Sequence, residues 1–440
     1  MPQLGRAHVR GLCVAVALAV AGFALVGVAA AAGVGVRVDA ALQAHFGALA
    51  DAYPGERPVA VPDGAGRAAD LLLHGGAVDP RALDTVFVAP GAALTRQVDG
   101  AAARDFQRFA ASPDGQRALI AAGLLPPTVT VLDQGGRSIT VAQPVTRLAS
   151  PYSLATYLAY GVGAGDRVVA AGFLGARDPD GIAAMTRIDP RFPDLVAFAS
   201  QETTNVEAIA ALAPDVVFAS ARSEWIDSVE AIGVPVVVFD GESKAQLIDA
   251  MRLAGALFGP DAAARAEAWV AYFDEVSARV AAATAPLPEL PRVLFTGTQR
   301  TRVASGAMYQ TFLVEAAGGV AVSAGLGGYW NDVGVEQVLA WAPEVVLVPP
   351  YGQASVAAVL EDPTWRLVPA VRTSDVYRVP KLVAPWDTPV PDSVLALVWL
   401  TELLHPGLTD LACVDEATFF YERFYGTTLG AEEAAGLCRR

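Results

Sequence analysis

Two spacings of apolar residues alternate along the chain from Gly136 onward. Short apolar runs rich in β-branched residues, "VTRLAS", "RVVAAG", "DVVFAS" and "VPVVVFD", read as buried strands. Between them "PYSLATYLAYGVGAGD", "VEAIAALA" and "SVEAIG" place apolar residues at helical spacing, the first closed by Gly161. "RSITVA" alternates until Pro144 breaks it. After Pro291 the same grammar restarts with "RVLFTG", "MYQTFLVEAAGG", "VEQVLAWA" and "EVVLVP". Strand–helix alternation with turn residues at each junction predicts parallel sheets in an α/β fold. Two Rossmann-like lobes are expected, residues 136–242 and 290–400.

The segment between them, 243–289, reads as helix throughout. "SKAQLIDAMRLAGALFG" ends at Gly259–Pro260, and "DAAARAEAWVAYFDEVSARVAAAT" follows over residues 261–284. There Trp269, Phe273, Val276 and Val280 share one helix face, and no Gly or Pro interrupts them. A long helix joining two lobes limits hinge bending; a plain surface helix of one lobe is the alternative. Residues 401–440 form a helical tail. Residues 33–135 form a separate small α/β segment, rich in Ala, Gly and Pro. In it "DTVFVAP" reads as a short buried strand, and "GAAARDFQRFAASPDGQRALIAAG" as one helical stretch with Phe106, Phe109, Leu119 and Ile120 on its apolar positions.

One passage is written twice: "NVEAIAALAPDVVFAS" from Asn205 and "GVEQVLAWAPEVVLVP" from Gly334. The copies are offset by 129 positions throughout, 336 minus 207 for the glutamates and 343 minus 214 for the prolines. Each Glu is the second residue of its helix, where an acid favours the positive end of the helix dipole by ~0.3–1 kcal/mol. Each Pro ends a helix and each following acid opens a strand. The repeat therefore marks equivalent corners of two similar lobes.

Composition narrows the picture. The 440 residues are 53% hydrophobic, so a sizeable core can form, and the net charge of −15 argues against a nucleic-acid partner. Lys244 and Lys381 are the only lysines; the arginine bias fits a GC-rich genome, guanidinium forks for an anionic ligand, or both. The N-terminus carries Arg6, His8 and Arg10 ahead of an apolar run that ends in small residues, the pattern of a signal peptide over 1–32 with an A-x-A cut after Ala32. The run is also long enough to serve as an uncleaved anchor. Either way the remaining chain is expected to be periplasmic or otherwise extracytoplasmic. Cys13 lies inside the run, which disfavours a lipid-anchored cysteine. The remaining pair, Cys413 and Cys438, predicts a disulfide across the tail, contributing ~3 kcal/mol by the chain-entropy account.

From about Arg137 to the end, the chain resembles the helical-backbone (class III) periplasmic binding proteins of ABC importers, whose members carry ferric siderophores, haem, cobalamin and, in some cases, molybdate. The pieces that carry the resemblance are "RLASPYSLATYLAYGVGAGDRVVAAG", the two repeated passages, "LVEAAGGV" and "WDTPVPDSVLALVWLTELLHPGL". "ACVDEATFFYERFYGTTLGAEEAAGL" is similar to an end common among iron-complex members. The resemblance implies that Glu207 and Glu336 form salt bridges with arginines of a permease dimer served by its ATPase. It also implies a monomer that meets the membrane only through the importer or an uncleaved anchor, and a small-molecule metal chelate as cargo, with no resident cofactor. Within residues 33–135, "ADLLLHGGAV", "VFVAPGAAL" and "FQRFAASPDGQRALIAAGLLPP" resemble part of a molybdate- or tungstate-type binding protein, which makes an oxyanion the runner-up cargo.

In open parallel sheets ligands sit beyond the carboxyl ends of strands. The candidates at such positions are Tyr152, Arg177 and Arg222 in the first lobe, and Arg302, Tyr309, Tyr329, Trp330, Tyr351 and Trp386 in the second. Aromatics beside Arg suit a large, partly apolar anion. With only His8, His45, His74 and His405, a histidine metal site is disfavoured, and His405 in "LLHPG" reads as a helix cap. No phosphate loop or G-x-S-x-G elbow occurs, and "GVGAGD" follows a helix instead of a strand, so enzyme readings lack parts. A chelate-processing enzyme or metallochaperone on the same fold is the alternative from another class.

Overall fold

Five short strands, Leu148–Ser150, Val168–Ala171, Val196–Ala197, Val216–Ser220 and Val236–Phe239, pair in parallel to form the first lobe. Taken in chain order, their spatial order is third, second, first, fourth, fifth. This computed structural model describes residues 35–38, 40–55, 59–60, 71–75, 84–90, 92–97, 100–172, 179–198 and 204–439. The expected signal peptide and Arg177 therefore lie outside the described residues. The second lobe repeats the scheme with Arg292–Phe295, Val320–Ala321, Val345–Val348 and Val376–Arg378, all parallel, in the order second, first, third, fourth. Val216–Ser220 and Val236–Phe239 are buried at every position, as strands covered on both faces must be. In each sheet the order reverses beside the first strand, so each lobe has one switch point, between Leu148–Ser150 and Val216–Ser220 or between Arg292–Phe295 and Val345–Val348.

The helix Pro260–Thr284 runs 25 residues, about 37 Å at 1.5 Å per residue. Trp269, Phe273, Val276 and Val280 on it are all completely buried. Trp269 Nε1 donates to the Pro391 carbonyl at 3.0 Å, and the Tyr272 ring lies among those of Phe419, Phe420 and Phe424 from helix Cys413–Tyr425. One continuous apolar core extends from Leu148 and Phe218 in the first lobe, through this helix, to Val293 and Leu347 in the second. Swinging the lobes apart would open a close-packed interior, not merely bend a linker. The tail is tied by the Cys413–Cys438 disulfide.

The doubled passage builds the same corner twice. Helices Val206–Ala211 and Val335–Trp341 each end on an alanine in the left-handed region, Ala213 (φ 44°) and Ala342 (φ 45°). In each lobe an arginine at the start of the first strand reaches back to the helix's last carbonyls: Arg147 to Leu212 and Ala213, Arg292 to Trp341. The acid after the proline then accepts that arginine's own backbone N–H, Asp215 from Arg147 and Glu344 from Arg292, both at 2.9 Å. The repeat thus satisfies orphan carbonyls of a short helix while fixing it to the neighbouring strand.

The chain divides into two compact units, and the one containing both lobes starts at Val129, ahead of the expected boundary at Gly136. The reason is a hairpin: Thr128–Leu132 and Ser138–Ala142 pair across "DQGGR", with Thr130 and Thr140 hydroxyls 2.8 Å apart. The other unit is a five-stranded mixed sheet backed by helices Gln43–Ala52, Ala101–Ala111 and Pro113–Ala121 around Phe46, Leu73 and Phe106. The last two correct the single helix expected there: Ser112 is an N-cap whose Oγ accepts from Gly115 N, with Pro113 at the first helical position. Among the described residues no helix is long and apolar enough to cross a membrane.

Candidate functional site

The two switch points open onto one cavity of about 370 Å³. Its first-lobe wall comes from the residues just past the flanking strands, Tyr152 after Ser150 and Arg222 after Ser220. Its second-lobe wall comes from Arg302 and Trp330, and from Tyr351 after Val348. Two glycines allow the close approach. A Cβ on Gly297 would fall 2.8 Å from the Trp330 ring, and Gly352, at φ +85°, lies where a Cβ would be 2.7 Å from Thr298 Cα. The Thr298 carbonyl accepts from Gln353 N and Ala354 N, which locks the Tyr351 loop to the loop after the first strand.

Electrostatically the cavity is mixed. The Arg222 guanidinium lies 5.0 Å from the Tyr329 ring centroid. Among the described residues Arg302 makes a long ion-pair contact, 3.7 Å, with exposed Asp332. Glu242, at the end of the fifth strand's loop, is half-buried. Burial pushes its carboxyl up, against the Tyr309 backbone N–H, and nearby Asp240 adds to the rise while Arg222 opposes it. Tyr351 Oη donates to Asp387 Oδ2 at 2.6 Å, and burial raises the Asp387 carboxyl to about 6 despite that bond. Burial likewise raises the phenol of Tyr152, with Glu242 and Asp240 adding to it.

Of the sequence-derived candidates, Tyr152, Arg222, Arg302, Trp330 and Tyr351 share this cavity. Tyr329 stands at its edge, 45% exposed, under Arg222. Two candidates are corrected. Tyr309 is completely buried, its hydroxyl 2.8 Å from Ser393 Oγ, because it opens its helix with the side chain turned into the core. Trp386 is also completely buried; its Nε1 donates to Tyr421 Oη, which in turn donates to Asp392. Neither residue lines the cavity. Glu242, Thr298 and Gln310 line the cavity and were missed. Glu242 follows the strand "VPVVVFD" as Arg222 follows "DVVFAS", and that position is its signal in the sequence. Among the described residues no cluster of His, Cys, Asp and Glu fits a metal ion. His405 Nε2 lies 2.9 Å from the Gly318 carbonyl, at its helix end.

Glu207 and Glu336 are both exposed in the first turn of their helices. Each helix runs back toward the amino end of the next strand, so each glutamate lies at the carboxyl-end rim of its sheet, the rim that carries the cavity. Asn205 Oδ1 accepts from Glu207 N and Ala208 N, whereas Gly334 offers no side-chain cap.

Residues 149–382 match the periplasmic binding protein family. The molybdate-binding protein MolA of Haemophilus influenzae is 26% identical over 272 residues, 57% of this chain and 78% of that protein. A periplasmic solute binding protein from Veillonella parvula superposes with a TM-score of 0.61 at 22% identity, covering 70% of this chain and 96% of the other. Helicobacter pylori CeuE with Ni(II) bound gives 0.58 at 18% identity, covering 70% and 99%. With just over half its length matched and both switch points facing one cleft, this chain belongs to the periplasmic binding protein family, the solute-binding partners of ABC transporter permeases and their ATPases.

Proposed function

We propose that the cleft captures a compact, anionic metal chelate and that Glu207 and Glu336 present the loaded protein to the permease dimer. The observation that carries the cargo reading is the convergence of Arg222 and Arg302 with aromatic walls at both switch points. Two guanidiniums suit carboxylate or phenolate oxygens, and Tyr329 and Trp330 suit the flat apolar part of a chelate. At about 370 Å³ the cavity lies at the lower end of the usual range for small-ligand sites, which supports a small ferric siderophore-like chelate over haem or cobalamin. A bare oxyanion is the second reading, favoured by the likeness to MolA. The docking reading rests on two exposed glutamates at matching corners, each on a helix packed into its own lobe's outer cluster, through Ile209 and Val338. Native mass spectrometry with metal analysis on protein purified from its own cells tests the cargo. The reading expects one organic chelate per chain. A bound mass equal to molybdate alone selects the second reading, and a metal-free occupant refutes both.

A further inference from the structure

Beside its guanidinium donors the cleft carries hydrogen-bond acceptors of its own. Gln310, 3% exposed, lines the cavity, and its Oε1 has no hydrogen-bond partner. Tyr351 spends its only proton on Asp387, so toward the cavity its oxygen can only accept. Glu242 adds a carboxylate that, among the described residues, accepts a long 3.4 Å contact from Tyr309 N. All three line the same cavity: the Gln310 amide hydrogen-bonds the Tyr351 phenol oxygen, and the Glu242 charge acts on that phenol too. A buried acceptor left unmatched costs free energy, and a bare oxyanion would bring only more acceptors to it.

Resting on the cargo reading above, we infer that Glu242, Gln310 and Tyr351 form an acceptor subsite for hydrogen-bond donors on the cargo. The cargo is therefore bipolar: anionic oxygens meet Arg222 and Arg302, while amine N–H or metal-bound water O–H groups meet the three acceptors. The subsite thereby selects donor-bearing chelates against oxyanions.

Calorimetric titration at neutral pH with three probes tests this: the nickel(II)–histidine chelate, with carboxylates and amine N–H groups; ferric citrate, with carboxylates and metal-bound water; and sodium molybdate, with no donor. Wild type is expected to bind at least one chelate about tenfold or more tightly than molybdate. Which chelate wins distinguishes amine from water donors. Gln310→Met is expected to weaken the chelate about tenfold and leave molybdate unchanged. Glu242→Gln, at a half-buried position that tolerates change better, is expected to weaken the chelate and strengthen molybdate. Opposite signs for the two probes cannot come from loosened structure. Equal shifts for both, no shift in either variant, or no chelate binding would overturn the inference. If Arg222→Ala and Arg302→Ala leave every probe unaffected, the cargo reading itself fails instead.

Discussion

The two lobes agree where they are framework and differ where they face the cavity. At the corners the match is nearly residue for residue: Arg147 and Arg292 cap helix ends, Asp215 and Glu344 hold those arginines' backbones, and Ala213 and Ala342 share a left-handed turn. At the cavity the first lobe supplies Tyr152, Arg222 and Glu242, and the second Arg302, Gln310, Trp330 and Tyr351. The doubled passage records a fold requirement and, at its two glutamates, a symmetric surface. The unmatched residues are those that line the cavity.

The largest expected effect comes from cutting the link between the lobes. Trp269→Ala removes a completely buried ring and its bond to the Pro391 carbonyl, and is expected to cost about 3–5 kcal/mol in chemical denaturation. A loss below about 1 kcal/mol would mean the lobes do not share the core through this helix.

Next is a pH effect confined to the second lobe's side. Asp392, completely buried, accepts from Tyr421 and Tyr425, yet burial raises its carboxyl to about 6. A carboxyl whose folded value lies above its unfolded one stabilises the protein below the unfolded value. That stability is lost as pH rises through the folded value, here between about 4 and 6. The loss is on the order of 2–3 kcal/mol. Asp392→Asn should flatten the fall in melting temperature across that window relative to wild type; an unchanged slope would assign the titration elsewhere.

The smallest effect separates the corners themselves. Asn205→Ala should cost about 1 kcal/mol by removing a helix cap, while Gly334→Asn should gain a few tenths by adding one. Equal responses at the two sites would mean that the cap difference has no energetic content.

Much of this architecture is legible in the sequence because it is local. Apolar runs show the strands, and the steps from Trp269 to Val280 show the buried helix face. The cavity is less legible because it depends on phase and on distant pairing. Tyr309 and Gln310 are consecutive, yet one ring enters the core and the other side chain lines the cavity. Trp386 turns inward while Thr388, two positions on, reaches the cavity wall. Aromatic character marks neither fate; the angular phase of each position on its helix or loop decides. The break at Ser112–Pro113 was local and readable, a capping serine before a proline, but was masked by the helical spacing on either side.

Capture and delivery are expected to use separate surfaces of this protein. Cargo affinity and cellular uptake, measured together on Glu207→Ala/Glu336→Ala, test it most directly. The expected result is uptake reduced at least about a hundredfold, from two lost interfacial ion pairs, with cargo affinity unchanged within about twofold. Loss of affinity in that variant, or uptake that survives it, would contradict the claim.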